Sequence, residues 1–453
     1  MLSDPIVALA TPPGRGALAL IRLSGRGAFD VAARVLRPFR PDAPRSVVRA
    51  TVHHPQSGEP IDDVLAVTYL GPASYTGEDM IEISTHGGLL VPAEVVAACV
   101  VAGARPAAPG EFTRRAVQNG KMDVLQAEAT ADLIDAGAPA QRRRALQQLE
   151  RGLSRRLEAL RDEILELEAL IAYDIDFPEE DEGPVGPERI ERAWRVTRDR
   201  VARLLATAPH GERLHAGALV VIAGAPNAGK SSLFNALLGR ERAIVTEIPG
   251  TTRDAIEAQL AIDGMPFRLV DTAGLRESED RVERLGIEVS RRYLGAADLV
   301  LFCEEGEGGR GEGEEAARDE FLAHCTAPVV HVRTKVDLPG PSARPPTRPS
   351  VAVSVVTGEG LPELARRLVE AAFGGLVALG DVEPVVTRER HRVALERALN
   401  ELDLFWIAHG EGVDAAAAAT HLRAAVGALD DLIGVVTPED VLDRVFASFC
   451  VGK

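Results

Sequence analysis

Eight consecutive residues, Gly224-Ala225-Pro226-Asn227-Ala228-Gly229-Lys230-Ser231, fit a phosphate-loop pattern: a glycine, four residues, a second glycine, then lysine and a hydroxyl. The glycines let the backbone turn so that successive N–H groups face one anionic group. A helix opening at Ser232 would add the partial positive charge of its N-terminus. Lys230 then reaches the β- and γ-oxygens of a nucleoside triphosphate, and the Ser231 hydroxyl is suited to ligating Mg²⁺. Asn227, Ala228, Gly229 and Ser232 complete the contacts expected of the loop.

Downstream segments extend the same chemistry. Thr246-Glu247-Ile248-Pro249-Gly250-Thr251-Thr252 stands where a first switch loop belongs, with Thr252 as the second Mg²⁺ ligand. In Val270-Asp271-Thr272-Ala273-Gly274 a strand ends in a carboxylate for the metal site, and the Gly274 N–H can reach the γ-phosphate. The next position often holds a glutamine that orients water; here it is Leu275, which neither donates nor accepts. Glu277 is the nearest carboxylate able to act on that water, and it is the candidate catalytic residue.

Base choice falls to Thr334-Lys335-Val336-Asp337. The Asp337 carboxylate can accept from the ring N–H and the exocyclic amine of guanine, whereas adenine lacks that amine. The common first residue of this motif is asparagine. Threonine has a shorter reach, so one bond is expected to be lost and guanine affinity reduced. Ser354-Val355-Val356 resembles the last loop that touches the base. GTP is therefore the expected substrate.

The elements that must hold these residues follow from apolar spacing. Ala218 to Ala223 is a buried strand and Ser232 to Leu238 the start of a helix. Within residues 1–120, strands are expected at Ile6 to Ala10, Ala17 to Leu23, Val64 to Tyr69 and Met80 to Ser84. Helices are expected at Gly27 to Leu36 and Val91 to Ala102. From Met122 the spacing turns helical, with one long helix carrying Leu146, Leu149, Leu153, Leu157, Leu160, Ile164, Leu167 and Leu170. A second runs from Pro187 to Leu205, and the last starts at Thr437-Pro438-Glu439-Asp440. The fold class is multidomain α/β. An N-terminal α+β module (1–120) precedes a discontinuous all-α domain (121–214 and 375–453), into which a Ras-like P-loop GTPase domain (215–374) is inserted.

Composition narrows the classes. Over 453 residues, 46% hydrophobic and 26% charged content is that of a globular chain of two to four domains. Net charge of −17 argues against non-specific nucleic-acid binding by the whole surface. The clusters Arg142-Arg143-Arg144, Arg155-Arg156 and Arg388 to Arg392 are read as solvated helix faces. Cys99, Cys303, Cys325 and Cys450 show no CxxC spacing, so free thiols are expected. No long apolar window and no basic leader are present, which predicts a cytoplasmic protein with no membrane segment.

The chain resembles the MnmE/TrmE family of tRNA-modification GTPases essentially from end to end. The match is carried by Ala10-Thr11-Pro12-Pro13-Gly14-Arg15-Gly16, Tyr75-Thr76-Gly77-Glu78-Asp79, His86-Gly87-Gly88, Pro109-Gly110-Glu111-Phe112-Thr113 and Asn119-Gly120-Lys121-Met122-Asp123. Gln126-Ala127-Glu128-Ala129, the run Asp271 to Glu277 and the terminal Cys450-Val451-Gly452-Lys453 add to it. The resemblance implies a homodimer whose N-terminal module binds a tetrahydrofolate derivative, 5-formyl or 5,10-methylene. Arg22, Glu82, Lys121 and Lys453 match the family's folate contacts. It implies K⁺ held by Asn227, Thr246, Ile248 and Thr251, accelerating GTP hydrolysis with Glu277 as catalyst. It also implies a flavoprotein partner of the MnmG/GidA kind in a heterotetramer. Together the two would install an aminomethyl or carboxymethylaminomethyl group at C5 of the tRNA wobble uridine, U34. Cys450 matches the family's near-terminal cysteine, as a functional thiol or a structural one beside the folate cleft.

Two other readings stand beside it. An Era-like ribosome-assembly GTPase would share the nucleotide motifs but needs neither the N-terminal module nor the C-terminal tetrapeptide. A one-carbon transferase with a regulatory nucleotide domain would need an active site of its own, and none is visible.

Overall fold

The computed structural model describes residues 4–41, 44–176, 186–240, 256–271, 293–305, 325–338, 349–379, 385–434, 442, 445–446 and 449–452. The chain forms two compact units, Met1–Ala131 with Asp430–Lys453, and Asp132–Leu429.

In the first unit the chain runs β1 (Ile6–Leu9), β2 (Leu18–Ser24), α1 (Ala28–Val35), β3 (Leu36–Arg37), β4 (Val47–His53), β5 (Pro60–Tyr69) and β6 (Met80–His86). It continues through α2 (Leu90–Val101), β7 (Arg105–Pro106), α3 (Glu111–Gln118) and into α4 (Val124–Asp135). The strands form one sheet in the order β3-β4-β5-β6-β2-β1-β7, antiparallel except where β7 lies parallel to β1. Alternate residues of a strand face opposite sides. Ile21 and Leu23 of β2 and Ile81 and Ile83 of β6 accordingly pack with α1 and α2 on one face. Ile6 and Ala8 of β1 meet Phe112 of α3 in a separate cluster. The tail residues Leu442, Phe446 and Phe449 pack on Val124 and Ala127.

All four strands and both helices expected here are present, and β3, β4, β7 and α3 join them. Helix α3 escapes apolar spacing because it buries charge: Arg115 is only 1% exposed, bonded to Glu111, Glu78 and Asp4. Burial alone would raise the Glu111 carboxyl. Hydrogen bonds from Arg105, the Ala108 N–H and Arg115 outweigh it and hold that group below the usual range.

The second unit begins with α5 (Pro139–Leu149), α6 (Gly152–Asp176), α7 (Pro187–Leu205) and α8 (Ala208–Ala216). The long helix expected from Leu146 to Leu170 is two helices. Arg151, between them, adopts φ 64°, a left-handed conformation that ends α5. The buried stripe of α6 is Leu153, Leu157, Leu160, Ile164, Leu167 and Ile171, while Leu146 lies exposed. Helix α7 has the expected bounds.

After α8 come β8 (Ala218–Gly224), α9 (Lys230–Arg240), β9 (Ile256–Ile262), β10 (Met265–Asp271), β11 (Leu299–Glu305), β12 (Val329–Thr334) and β13 (Ser350–Ala352). Helices α10 (Leu361–Leu379), α11 (Glu389–Gly410) and α12 (Ala415–Ile433) follow. The sheet order is β13-β12-β11-β8-β10-β9, parallel except for β9 against β10. Leu233 and Leu237 of α9 and Leu364 and Phe373 of α10 bury against it. Helices α7 and α11 interlock through stacked Trp194 and Trp406, 4.4 Å between ring centroids. The Trp194 indole donates to the Leu402 carbonyl at 2.8 Å, and Arg198 pairs with Asp403. No helix among the described residues is long and apolar enough to cross a membrane. The expected N-cap at Thr437 lies outside the described residues.

Candidate functional site: a phosphate loop at the switch point of a parallel sheet

Strand β8 is flanked by β11 on one side and β10 on the other, so chain order reverses about it. Ligands of open α/β sheets bind at the carboxyl ends of strands around such a point. The loop leaving β8 there is shaped by three left-handed positions, Gly224 (φ 140°), Asn227 (φ 62°) and Gly229 (φ 77°). Gly224 is needed for room as well as φ, since a Cβ on it would lie 2.2 Å from the Cys303 carbonyl oxygen. Burial pushes the Cys303 thiol up to about 12 against the pull of Lys230, so it serves as packing rather than as a nucleophile.

Lys230 curls back over this loop. Its Nζ donates to the carbonyls of Ala225 at 2.8 Å and Gly224 at 3.2 Å, which keeps the ammonium at the loop. The Ser231 hydroxyl donates to Asp271 Oδ2 at 2.6 Å, at the end of β10. Strand pairing helps bring these two together: Asp271 lies beside Ile222 in register, and the loop leaving β8 returns the chain to Ser231. Hydroxyl and carboxylate oxygens suit Mg²⁺, which favours one or two protein oxygens completed by phosphate and water. Among the described residues no cluster of three or more His, Cys, Asp or Glu could hold a metal by itself.

Across the sheet, Thr334 donates its hydroxyl proton to backbone carbonyls, Ala228 at 2.8 Å or Glu304 at 3.2 Å. Lys335 takes φ 58° and pairs with Glu305 at 3.0 Å. Asp337 is exposed. Ser354 is buried, its Oγ accepting the Thr357 N–H at 3.2 Å, with Val355 half-buried and Val356 exposed. Asn227 is exposed on the loop and Ser232 in the first turn of α9, while Ala228 is buried. Thr246, Glu247, Ile248, Pro249, Gly250, Thr251, Thr252, Thr272, Ala273, Gly274 and Glu277 lie outside the described residues. The link from Thr334 to Ala228 was not anticipated, because nothing in local sequence joins positions so far apart.

The first unit has a second constellation. Arg22 and Glu82 are register partners on β2 and β6, and Arg22 Nε donates to Glu82 Oε1 at 2.9 Å. Both are about one-fifth exposed, at 21% and 20%. Tyr69 donates to the other Glu82 oxygen at 3.2 Å, and the Arg22 guanidinium sits 5.2 Å from the Tyr75 ring centroid. Burial and the Glu82 charge raise the Tyr69 phenol. Neither tyrosine was anticipated as part of the site. Tyr75 falls within one of the family-like blocks, which was the available signal. Lys121 is exposed and donates to the Pro72 carbonyl at 2.8 Å, outside the Arg22–Glu82 pair.

The tail reaches this unit as well. The Gly110 N–H faces the Cys450 carbonyl at 3.4 Å, and a Cβ on Gly452 would lie 2.3 Å from the Leu9 carbonyl oxygen. The Cys450 side chain is exposed, and Lys453 lies outside the described residues.

A phosphate loop at a switch point, a hydroxyl–carboxylate pair for a hard cation and a Thr-Lys-Val-Asp base loop define a P-loop nucleotide-binding protein. Comparison with known proteins is more specific. Residues 5–121 match the family model described as GTP-binding protein TrmE N-terminus, and residues 124–450 match the MnmE helical domain. A protein of Moorella thermoacetica named tRNA modification GTPase MnmE is 41% identical over 471 residues, covering 100% of both chains. Proteins of the same name are 44% identical in Thermus thermophilus, over 100% of this chain and 99% of that one, and in Methylorubrum populi, over 99% and 98%. The chain belongs to the MnmE/TrmE family.

Proposed function

We propose that this chain is a GTPase acting in tRNA modification, with its nucleotide domain inserted into a helical frame. One observation carries the reading. The loop of β8 presents a caged lysine and a Ser231–Asp271 pair at the switch point, in a chain aligned from end to end with tRNA modification GTPases. Packing of α7 on α11 supports the insertion, since these helices flank the nucleotide domain in sequence yet share the Trp194–Trp406 stack.

When bound, Mg²⁺ supplies positive charge to the phosphates. The chain's own part is to wrap the loop N–H groups about the phosphates, hold Lys230 beside them and keep the Ser231 oxygen turned outward. Asp337 orients the base. Glu277 is the proposed group that acts on water, with K⁺ at Asn227, Thr246, Ile248 and Thr251 neutralising charge in place of an arginine finger. Thr252 is proposed as the second Mg²⁺ ligand.

The finer assignment extends to the first unit. A reduced folate, supplying the one-carbon group, would bind at Arg22, Glu82, Lys121 and the terminal Lys453. Its pterin amines suit the Glu82 carboxylate, and its anionic tail suits the cations. The seating of Gly452 against β1 supports a role for the tail in that unit. A homodimer is part of the proposed assembly, as the family resemblance implies. With a flavoprotein partner, the cytoplasmic product would be a C5-substituted wobble uridine, and GTP hydrolysis would gate that chemistry rather than perform it.

The test is the wobble-nucleoside profile of tRNA from cells lacking this chain. Uridine lacking the C5 substituent should accumulate where that group is normally present. A profile identical to that of the parent strain would overturn the reading.

A further inference from the structure

Thr334 stands where asparagine is common, and its surroundings give it a different duty. It ends β12 and is 3% exposed. Its Oγ1 lies 2.8 Å from the Ala228 carbonyl, within the phosphate loop, and 3.2 Å from the Glu304 carbonyl at the end of β11. Both neighbours only accept, so the single hydroxyl proton is committed to backbone whichever of them takes it. Gly229 closes over the same side chain, since a Cβ built there would stand 3.4 Å from Thr334 Cβ and Oγ1.

Guanine presents two donor groups, the ring N1–H and the exocyclic amine, and acceptors that include O6 and N7. The exposed Asp337 carboxylate serves the donors. N7 carries no proton, so only a donor can recognise it. An asparagine amide has two protons and could hold the phosphate loop with one while giving the other to N7; a threonine hydroxyl has one. We propose that Thr334 is a clamp on the phosphate loop that leaves guanine N7 unrecognised, so that base selection rests on Asp337 and the donor edge. This rests on the guanine-nucleotide reading above and adds to it which edge of the base is used.

The experiment is equilibrium binding of the full chain to GTP, 7-deaza-GTP and inosine triphosphate. With N7 replaced by C–H, 7-deaza-GTP should bind within about twofold of GTP. Inosine triphosphate lacks the amine and should bind at least about tenfold more weakly. Thr334→Asn supplies the missing donor and should create a preference of about fivefold for GTP over 7-deaza-GTP. Thr334→Val keeps the shape without the proton, and should weaken both nucleotides alike by about fivefold.

A wild-type chain that binds 7-deaza-GTP about tenfold more weakly than GTP overturns the proposal. So does a Thr334→Val chain with unchanged affinity for both. The wild-type comparison decides by itself where a variant does not fold. GTP titration alone is the control: no binding there removes the nucleotide reading itself, whereas binding without the 7-deaza tolerance removes only the clamp.

Discussion

Replacing Asp271 with asparagine should uncouple Mg²⁺ from GTP while leaving the chain folded. Asp271 is 2% exposed, and its Oδ2 accepts the Ser231 proton at 2.6 Å, a length typical of a hydroxyl donating to a charged carboxylate. Because that proton points at Asp271, the lone pairs of Ser231 Oγ stay available to a cation. Asparagine keeps the shape and one acceptor oxygen but loses the charge. A hydrogen bond to a charged group contributes about 1.5–3 kcal/mol and a neutral one about 0.5–1.5 kcal/mol, so roughly 1 kcal/mol of the pair is lost. The lower cost of burying a neutral amide offsets part of that loss.

Metal coupling responds more strongly. Loss of a partner behind a metal ligand lowers metal affinity about 10- to 100-fold, or about 1.4–2.8 kcal/mol. The sign reverses without metal, because removing a negative charge near the phosphates relieves repulsion. GTP affinity in EDTA should therefore hold or rise. The assay is GTP binding titrated across Mg²⁺ concentration, with thermal unfolding as the control. A folded Asp271→Asn chain whose Mg²⁺ midpoint stays within about twofold of the parent would refute the reasoning.

Gly224→Ala should destabilise the second unit by about 3 kcal/mol or more, because its Cβ meets the Cys303 carbonyl at 2.2 Å with φ at +140°; a urea midpoint equal to that of the parent would contradict this. Acid should loosen the first unit. The Glu111 and Asp4 carboxyls are held below their usual values of 4.5 and 3.8, so their contribution is complete above those values and lost as pH falls through the lower folded ones. Hydrogen exchange in β1 and β7 should accordingly be flat above about pH 5 and rise, relative to the intrinsic rate, below about pH 4, and Glu111→Gln should flatten that rise. Replacing K⁺ by Na⁺ should slow GTP turnover by about tenfold or more. Equal rates in the two salts would remove Asn227 from a cation role.

Apolar spacing located the strands that pack on α1 and α2, because Leu20 to Ser24 and Ile81 to Ile83 alternate across a half-buried sheet. It joined α5 to α6 because leucines continue through the junction. The left-handed Arg151 that separates the helices is a property of the backbone and leaves no periodic trace. Helix α3 was missed for the opposite reason. Its Arg114-Arg115 pair looks solvated, and Arg115 is buried because Asp4 and Glu78 converge on it from distant parts of the chain, joining Glu111 one turn earlier in the same helix. At the candidate nucleotide site, Lys230, Ser231, Asp271 and Asp337 were nominated from sequence because phosphate, metal and guanine each demand a side-chain type within a short motif. Tyr69 and Tyr75 were not, since an aromatic beside an arginine is meaningful only once β5 and the Tyr75 loop approach β2 and β6.

Motif chemistry thus nominated from the linear chain a phosphate loop, a carboxylate for a metal and an aspartate for guanine, in that order, because each is proposed to act through neighbours a few residues away. Tertiary structure alone decided what those groups touch across the sheet. It set the Ser231 proton on Asp271, Thr334 beneath Ala228, and the tail glycine against β1. Those contacts depend on strand order and register, which arise from burial of the whole sheet and are encoded in no short stretch of residues.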